Sequence, residues 1–308
     1  MPLDIKGFSV MGEEKVHLKD FPTQGGDDLN KKKTINEKMP DNIRKMAALQ
    51  EKLYAQNRHG LLIVLQAMDA AGKDGTIKHV MSGLNPQGTQ VTSFKAPSSE
   101  ELDHDYLWRI SKALPRRGEI GIFNRSHYED VIVARVHDLV SGSQLPQELV
   151  TPEIWEKRYR QIRDFERYLG ENGIKVVKIF LHVSKEEQRE RLLDRISQPD
   201  KNWKFNSGDI DERRYWEQYQ EAYEHLLNHT STPEAPWYVV PADRKWFARY
   251  LVSEIVLDAL QGIDPQFPEL SDKEKAMLAE CRDILEADGK EEEKSEEKSE
   301  EKSEEKEE

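Results

Sequence analysis

The chain has 308 residues, 36% of them hydrophobic and 34% charged, with a formal net charge of −13. That length can bury a good core in one or two domains, and net acidity argues against general nucleic-acid binding through a basic face, while leaving room for a polyanion in a local basic channel. A single cysteine, Cys281, rules out an internal disulfide, and no apolar stretch approaches a membrane span or a signal-peptide core, so the expectation is a cytoplasmic protein without membrane contact.

Residues 1–40 read as a polar arm with little regular structure. From Asp41 to Arg58, Ile43, Met46, Leu49 and Leu53 fall at helical spacing and lead into an apolar strand at Leu61. A helix follows the next loop, and Gln90 to Phe94 reads as a second strand. Ser98 and Glu101 form a capping box for a helix running to about Leu114, where Pro115 stops it. Glu119 to Phe123 is a third strand, Pro152 to Gly170 a charged helix, and Ile174 to Val183 a β-branched strand. Ser184 and Glu187 cap a helix that is interrupted from Gln198 to Ser207 and resumes to about Asn228; Trp237 to Val240 is the last strand, followed by helices near 244–261 and 271–289. Strands alternating with helices predict an α/β fold with a parallel five-stranded sheet in one catalytic domain over about residues 41–270, with a helical lid near 189–215. Residues 290–308 repeat Glu-Glu-Lys-Ser with eleven glutamates against five lysines and no apolar residue, and are expected to be disordered. Cys281 sits in a late amphipathic segment and reads as a structural thiol.

The segment Leu61 to Thr76 carries most of the functional signal. An apolar run passes into a turn of small residues ending Gly72-Lys73 and then into a helix, the layout of a phosphate-binding loop. Ala67 stands where that pattern has its first glycine, and Asp74 where it has a Ser or Thr; an ordinary strand-to-helix turn is the competing reading. Ligands of open α/β sheets sit beyond the carboxyl ends of strands, which would bring Asp69, Lys73, Asn124, Arg125 and Glu129 to one crevice. Phosphoryl transfer asks for positioning, metal and charge neutralisation, and these residue types meet that need. Asp69 is the first choice for magnesium, Arg125 for bidentate phosphate contact, and Glu129 for a second metal or the acceptor. His127 and Tyr128 read as structural. Arg189, Arg191 and Arg195 precede the break at Pro199, as a mobile basic lid would require. An ATP-dependent nucleoside or nucleotide kinase and a non-catalytic nucleotide-binding or scaffold protein remain open on these residues alone. A GTPase is disfavoured, because no Asn-Lys-x-Asp segment is present.

The stretches Gln66-Ala67-Met68-Asp69-Ala70-Ala71-Gly72-Lys73-Asp74-Gly75-Thr76, Phe123-Asn124-Arg125-Ser126-His127-Tyr128-Glu129-Asp130 and Ala235-Pro236-Trp237-Tyr238 resemble the polyphosphate kinase 2 family, across roughly Asp41 to Gly262. The resemblance implies a P-loop kinase-like three-layer sandwich with a helical lid. It also implies reversible transfer of the terminal phosphate of inorganic polyphosphate to AMP and ADP, giving ADP and ATP, without a covalent enzyme intermediate. Mg2+ is the implied cofactor, with Mn2+ as a substitute, and guanine nucleotides are further candidate partners. By motif position Asp69 would bind metal, Lys73 and Arg125 the transferred phosphate, and Arg135 and Arg189 further phosphate oxygens. Ala70, Ala71, Gly72, Asp74, Gly75, Thr76 and Asn124 would complete the phosphate and nucleotide site. The Asn124/Glu129 pair is similar to the class III branch, which accepts both AMP and ADP. A homo-oligomer, dimer or tetramer, is the family expectation.

Overall fold

A computed structural model describes residues 3–304, with side chains described as far as residue 289. The chain forms two compact units, Met1–Gln266 and Phe267–Glu308.

Six strands, β1 (Ser9–Val10), β2 (Gly60–Ala67), β3 (Thr89–Ser93), β4 (Ile120–Asn124), β5 (Ile174–His182) and β6 (Trp237–Pro241), form one sheet in the order β1-β6-β5-β2-β4-β3. The five expected parallel strands are present, and the count of five is corrected by β1, which pairs antiparallel with β6 through Ser9 with Tyr238 and Val10 with Trp237. Two residues carry no readable alternation, so that edge strand has no sequence signal. All eight residues of β2 are buried, as a central parallel strand covered on both faces requires. The helix Lys245–Ile263 packs against the helices Met39–Gln56 and Lys73–Val80, while Ile154–Glu171 packs against Trp216–Thr230 and β5. The result is helix, sheet and helix in three layers.

Three differences from the sequence reading have local causes. After two 3-10 turns, Lys6–Phe8 and Leu18–Asp20, α-helix begins at Lys31, where the Asn30 side chain accepts from Lys33 N, and passes through a π segment, Thr34–Lys38, into Met39–Gln56, so the arm is more regular than its polarity suggests. The single helix expected from Ser98 to Leu114 is two short ones, Ser99–Leu102 and Trp108–Lys112; the capping box is present, but Asp105 Oδ1 accepts from Leu107 N at 2.9 Å and turns the chain between them. The last helix runs Asp272–Glu304, through residues expected to lack order; Glu and Lys are good helix formers even without an apolar face. Residues 305–308 of that repeat lie outside the described residues. Cys281 is exposed. Among the described residues no helix is long and apolar enough to cross a membrane.

A buried polar knot joins the layers. Lys178 of β5 is 0% exposed and donates to Glu166 Oε2 at 2.6 Å and to the Thr230 carbonyl at 2.7 Å. Tyr128 donates to the other Glu166 oxygen at 2.6 Å, with burial holding its hydroxyl protonated far above the usual range. The turn His127–Asp130, which carries Glu129, is thereby anchored to the helix Ile154–Glu171.

Candidate active site

β2 and β4 are adjacent parallel strands, Leu65 opposite Asn124, so the loops leaving their carboxyl ends emerge side by side. In the first loop Gly72 has φ 108°, a left-handed conformation that suits glycine, and it opens the helix Lys73–Val80 without a side-chain cap. The first N–H groups of that helix are free for anion contact. Ala70 at φ 61° and Arg125 at φ 63° also occupy the left-handed region, an unusual strain for non-glycine residues and one placed on both converging loops. Arg125 N bonds back to the Leu65 carbonyl at 3.0 Å, which helps hold that conformation.

The two loops are joined by charge. Arg125 Nη2 donates to Asp69 Oδ1 at 2.7 Å, and Nη1 lies 3.8 Å from Glu129 Oε2. Asn124 Nδ2 donates to Asp74 Oδ1 at 2.8 Å. Lys73 folds back to donate to the Ala67 carbonyl at 3.0 Å; burial pulls its pKa down, as does Arg125, against the pull of Asp69 and Glu129. Burial pushes the Glu129 carboxyl up, opposed by Arg125 and Lys73. With its amide turned to satisfy both ends, Gln66 donates to Glu129 Oε1 at 2.9 Å and accepts from Ser126 Oγ at 3.1 Å.

Two cavities meet at this centre and share Asp69, Arg125, Asn206 and Asp209. One is a crevice of about 820 Å3 bounded by the loop from Ala70 to Thr76, by Asn124, and by the basic residues Lys73, Arg125, Arg191, Arg195, Lys201, Lys204, Lys245 and Arg249. The other is a chamber of about 240 Å3 walled by Met68, Glu129, Ile132, Val133, Glu212, Tyr219 and Tyr223. A larger hollow, about 1020 Å3, opens at the amino ends of the strands beside Tyr54, Arg116, Arg117 and Tyr168; none of the loop residues reaches it. The crevice concentrates positive charge in an acidic protein, which suits a linear polyanion.

The structure therefore gathers Asp69, Ala70, Ala71, Gly72, Lys73, Asp74, Gly75, Thr76, Asn124, Arg125 and Glu129 around one centre. Two expected phosphate ligands, Arg135 and Arg189, line neither cavity. Arg135 donates to the Tyr159 hydroxyl at 3.0 Å and lies 3.9 Å from Glu221, outside both cavities. Arg189 is exposed on the outer side of the helix Lys185–Ser197. The inner side of that helix carries Gln188, Arg191, Leu192 and Arg195, at the i, i+3, i+4 and i+7 spacing of one face. That spacing around the buried Leu192 was the available signal for Arg191 and Arg195 over Arg189. Lys245 and Arg249 come from the distant start of the helix Lys245–Ile263 and had no local signal.

Arg191 acts as a clamp under the phosphate loop. Its guanidinium donates to the Ala71 carbonyl at 2.7 Å, the Ala70 carbonyl at 3.3 Å, the Ala242 carbonyl at 2.6 Å and the Asp243 carbonyl at 3.0 Å, while Nε meets Glu187 at 2.7 Å. Gln188 donates to the Asp69 carbonyl at 3.0 Å and accepts from Arg213 at 2.8 Å. His127 is buried and lines neither cavity, its Nε2 3.7 Å from Glu166.

Among the described residues no three acidic, histidine or cysteine side chains group into a metal cage. Magnesium keeps several waters and takes one or two carboxylates plus substrate phosphates, so no such cage is required. Asp69 commits Oδ1 to Arg125 and leaves Oδ2, with the Glu129 carboxylate nearby across the same guanidinium, a donor set that fits this ion.

The family model for polyphosphate kinase 2 (PPK2) matches residues 29–268. An ADP-polyphosphate phosphotransferase of Rhodopseudomonas palustris is 46% identical over 287 residues, 92% of this chain and 99% of the relative. An AMP/ADP-polyphosphate phosphotransferase of Meiothermus ruber is 52% identical over 226 residues, 73% of this chain and 81% of the relative. A crystal structure of polyphosphate kinase 2 from Arthrobacter aurescens TC1 superposes with a TM-score of 0.79 at 39% identity, covering 88% of this chain and 95% of that one.

Proposed function

The chain belongs to the polyphosphate kinase 2 family, and we propose that it moves the terminal phosphoryl group of inorganic polyphosphate onto AMP and ADP, reversibly and with Mg2+. The observation that carries this reading is the pair of cavities meeting at Asp69 and Arg125: a long basic crevice for the polymer and a small chamber for the acceptor.

The polymer end lies against the loop N–H groups and Lys73, with Arg195, Lys201 and Arg249 along the crevice taking the phosphates behind it. An acceptor phosphate oxygen is already ionised, so no general base is needed, and His127 has no proton to take. The bond from the terminal phosphorus to its bridging oxygen breaks, that oxygen stays with the shortened polymer, and a new bond forms to the acceptor oxygen. Arg125 and Lys73 neutralise the charge spread over the group in flight. Asp69, with Glu129, would hold magnesium, which adds further neutralisation of phosphate charge. Bonds broken and formed are both phosphoanhydrides, the physical basis for reversibility.

Purified chain mixed with AMP, Mg2+ and long-chain polyphosphate, without ATP, is expected to yield ADP and then ATP. A kinase that uses ATP as donor gives no product under these conditions, and a non-catalytic nucleotide binder gives none with either donor.

Acceptor choice is assigned to Glu129. An enzyme serving AMP and ADP must accept a terminal phosphate at two depths, and a half-buried carboxylate that holds metal or water beside Arg125 supports this in a way an amide cannot. Glu129→Asn is expected to change the AMP to ADP ratio of kcat/KM by more than about tenfold, roughly 1.4 kcal/mol. Equal losses with the two acceptors, measured at saturating polyphosphate, would remove Glu129 from that role.

A further inference from the structure

Three buried tyrosines, Tyr128, Tyr219 and Tyr223, differ in how their hydroxyls are used. Tyr128 donates to Glu166 and Tyr219 donates to Glu212, both at 2.6 Å, so each hydroxyl is spent inside the protein. Tyr223 is only 2% exposed, and its ring stacks on Phe180 with centroids 4.2 Å apart. It lines the 240 Å3 chamber, and its hydroxyl meets no partner among the described residues.

Although the residue is only 2% exposed, its hydroxyl opens into the chamber, so this donor without an internal partner is free to meet whatever enters there. We propose that the Tyr223 hydroxyl donates a hydrogen bond to the terminal phosphate of the acceptor nucleotide, making Tyr223 an acceptor-binding residue of the transfer site. Three features point to a phosphate oxygen as its partner. Neither neighbouring carboxylate bonds to it: Asp69 Oδ1 is held by Arg125 and Glu129 Oε1 by Gln66, and the hydroxyl faces open chamber. The charges it senses are those of Glu129, Arg125 and Asp69, the groups around the transfer point. Burial, reinforced by Glu129, raises its pKa well above 10, so the group remains a donor at every working pH. A neutral donor also suits this position: it orders an acceptor oxygen without adding a second cation that would draw the polymer into the chamber.

This inference rests on the polyphosphate reading above, and Tyr223→Phe tests it cleanly. The ring and its stack on Phe180 remain and no internal hydrogen bond is lost, so the melting temperature should be unchanged or slightly higher. Loss of one neutral hydrogen bond is expected to lower kcat/KM by about three- to tenfold for AMP and ADP alike, with the KM for polyphosphate within twofold of the parent. Equilibrium dialysis with AMP alone should show weakened binding by a similar factor, a readout that needs no polymer. If the parent turns over AMP with polyphosphate and the variant matches it within twofold in kinetics and AMP binding, the inference fails and the proposed function stands. A parent that binds AMP but ignores polyphosphate overturns the proposed function, while dialysis still decides the role of Tyr223. A loss confined to the KM for polyphosphate would put the hydroxyl on the donor side and also overturn it.

Discussion

Lys73→Ala lowers turnover by at least about a hundredfold while leaving the melting temperature near that of the parent. The expectation follows from where the ammonium sits. It is held inside the loop by the Ala67 carbonyl at 3.0 Å, close enough to Arg125, Asp69 and Glu129 for each to act on its charge. A charge held in place before the reaction needs no reorganisation at the transition state, and removing one such group typically costs two to three orders of magnitude. The fold loses little, because the loop keeps its other ties, Arg191 to Ala70 and Ala71 and Gln188 to Asp69. Steady-state turnover at saturating AMP and polyphosphate, with a thermal melt of the same sample, makes the measurement. Activity within a few-fold of the parent at unchanged stability would mean that this loop is not where transfer occurs.

The largest stability effect is expected at Lys178. Lys178→Met removes the ammonium from a fully buried site and leaves Glu166 with Tyr128 as its remaining close donor, so the carboxylate is left largely uncompensated. Breaking one side of such a pair costs about 3–5 kcal/mol, whereas replacing both partners with apolar groups is often nearly neutral. The double variant Lys178→Met/Glu166→Met should therefore recover much of the loss. Urea unfolding midpoints of the two single variants and the double variant would decide it. A single variant that loses less than about 1 kcal/mol would show that the knot is not a stabilising element of the native state.

The phosphate loop was legible because its information is local. Strand, small residues, Gly72-Lys73 and helix follow one another within sixteen residues, and a parallel sheet then obliges the end of β4 to lie beside it. What escaped has a common cause in distance along the chain or in helix facing. Arg189 and Arg191 are two residues apart, which on a helix puts them on different sides, and only the buried Leu192 tells which side faces inward. Arg135 lies soon after the second motif, yet the short helix Val133–Val136 turns it toward Tyr159. Tyr223 sits in an amphipathic helix among other aromatic residues, where nothing in the sequence distinguishes a hydroxyl spent inside the protein from one facing a cavity.

The Arg191 clamp also sets an order of events during folding. Its guanidinium binds carbonyls at residues 70 and 71 and again at 242 and 243, so one side chain spans contacts about 120 residues back and 50 residues forward. The sequence that defines the phosphate loop is complete once Thr76 has been made. The backbone that shapes it is not, because the Ala242 and Asp243 carbonyls that fix Arg191 follow the last strand, β6. Non-local closures of this kind form late, after loop-closure entropy has been met by the rest of the sheet. During synthesis the chain would thus carry its phosphate-binding sequence through the emergence of some 170 further residues before that loop is locked into shape, and a fragment ending ahead of β6 would hold the motif without the cradle.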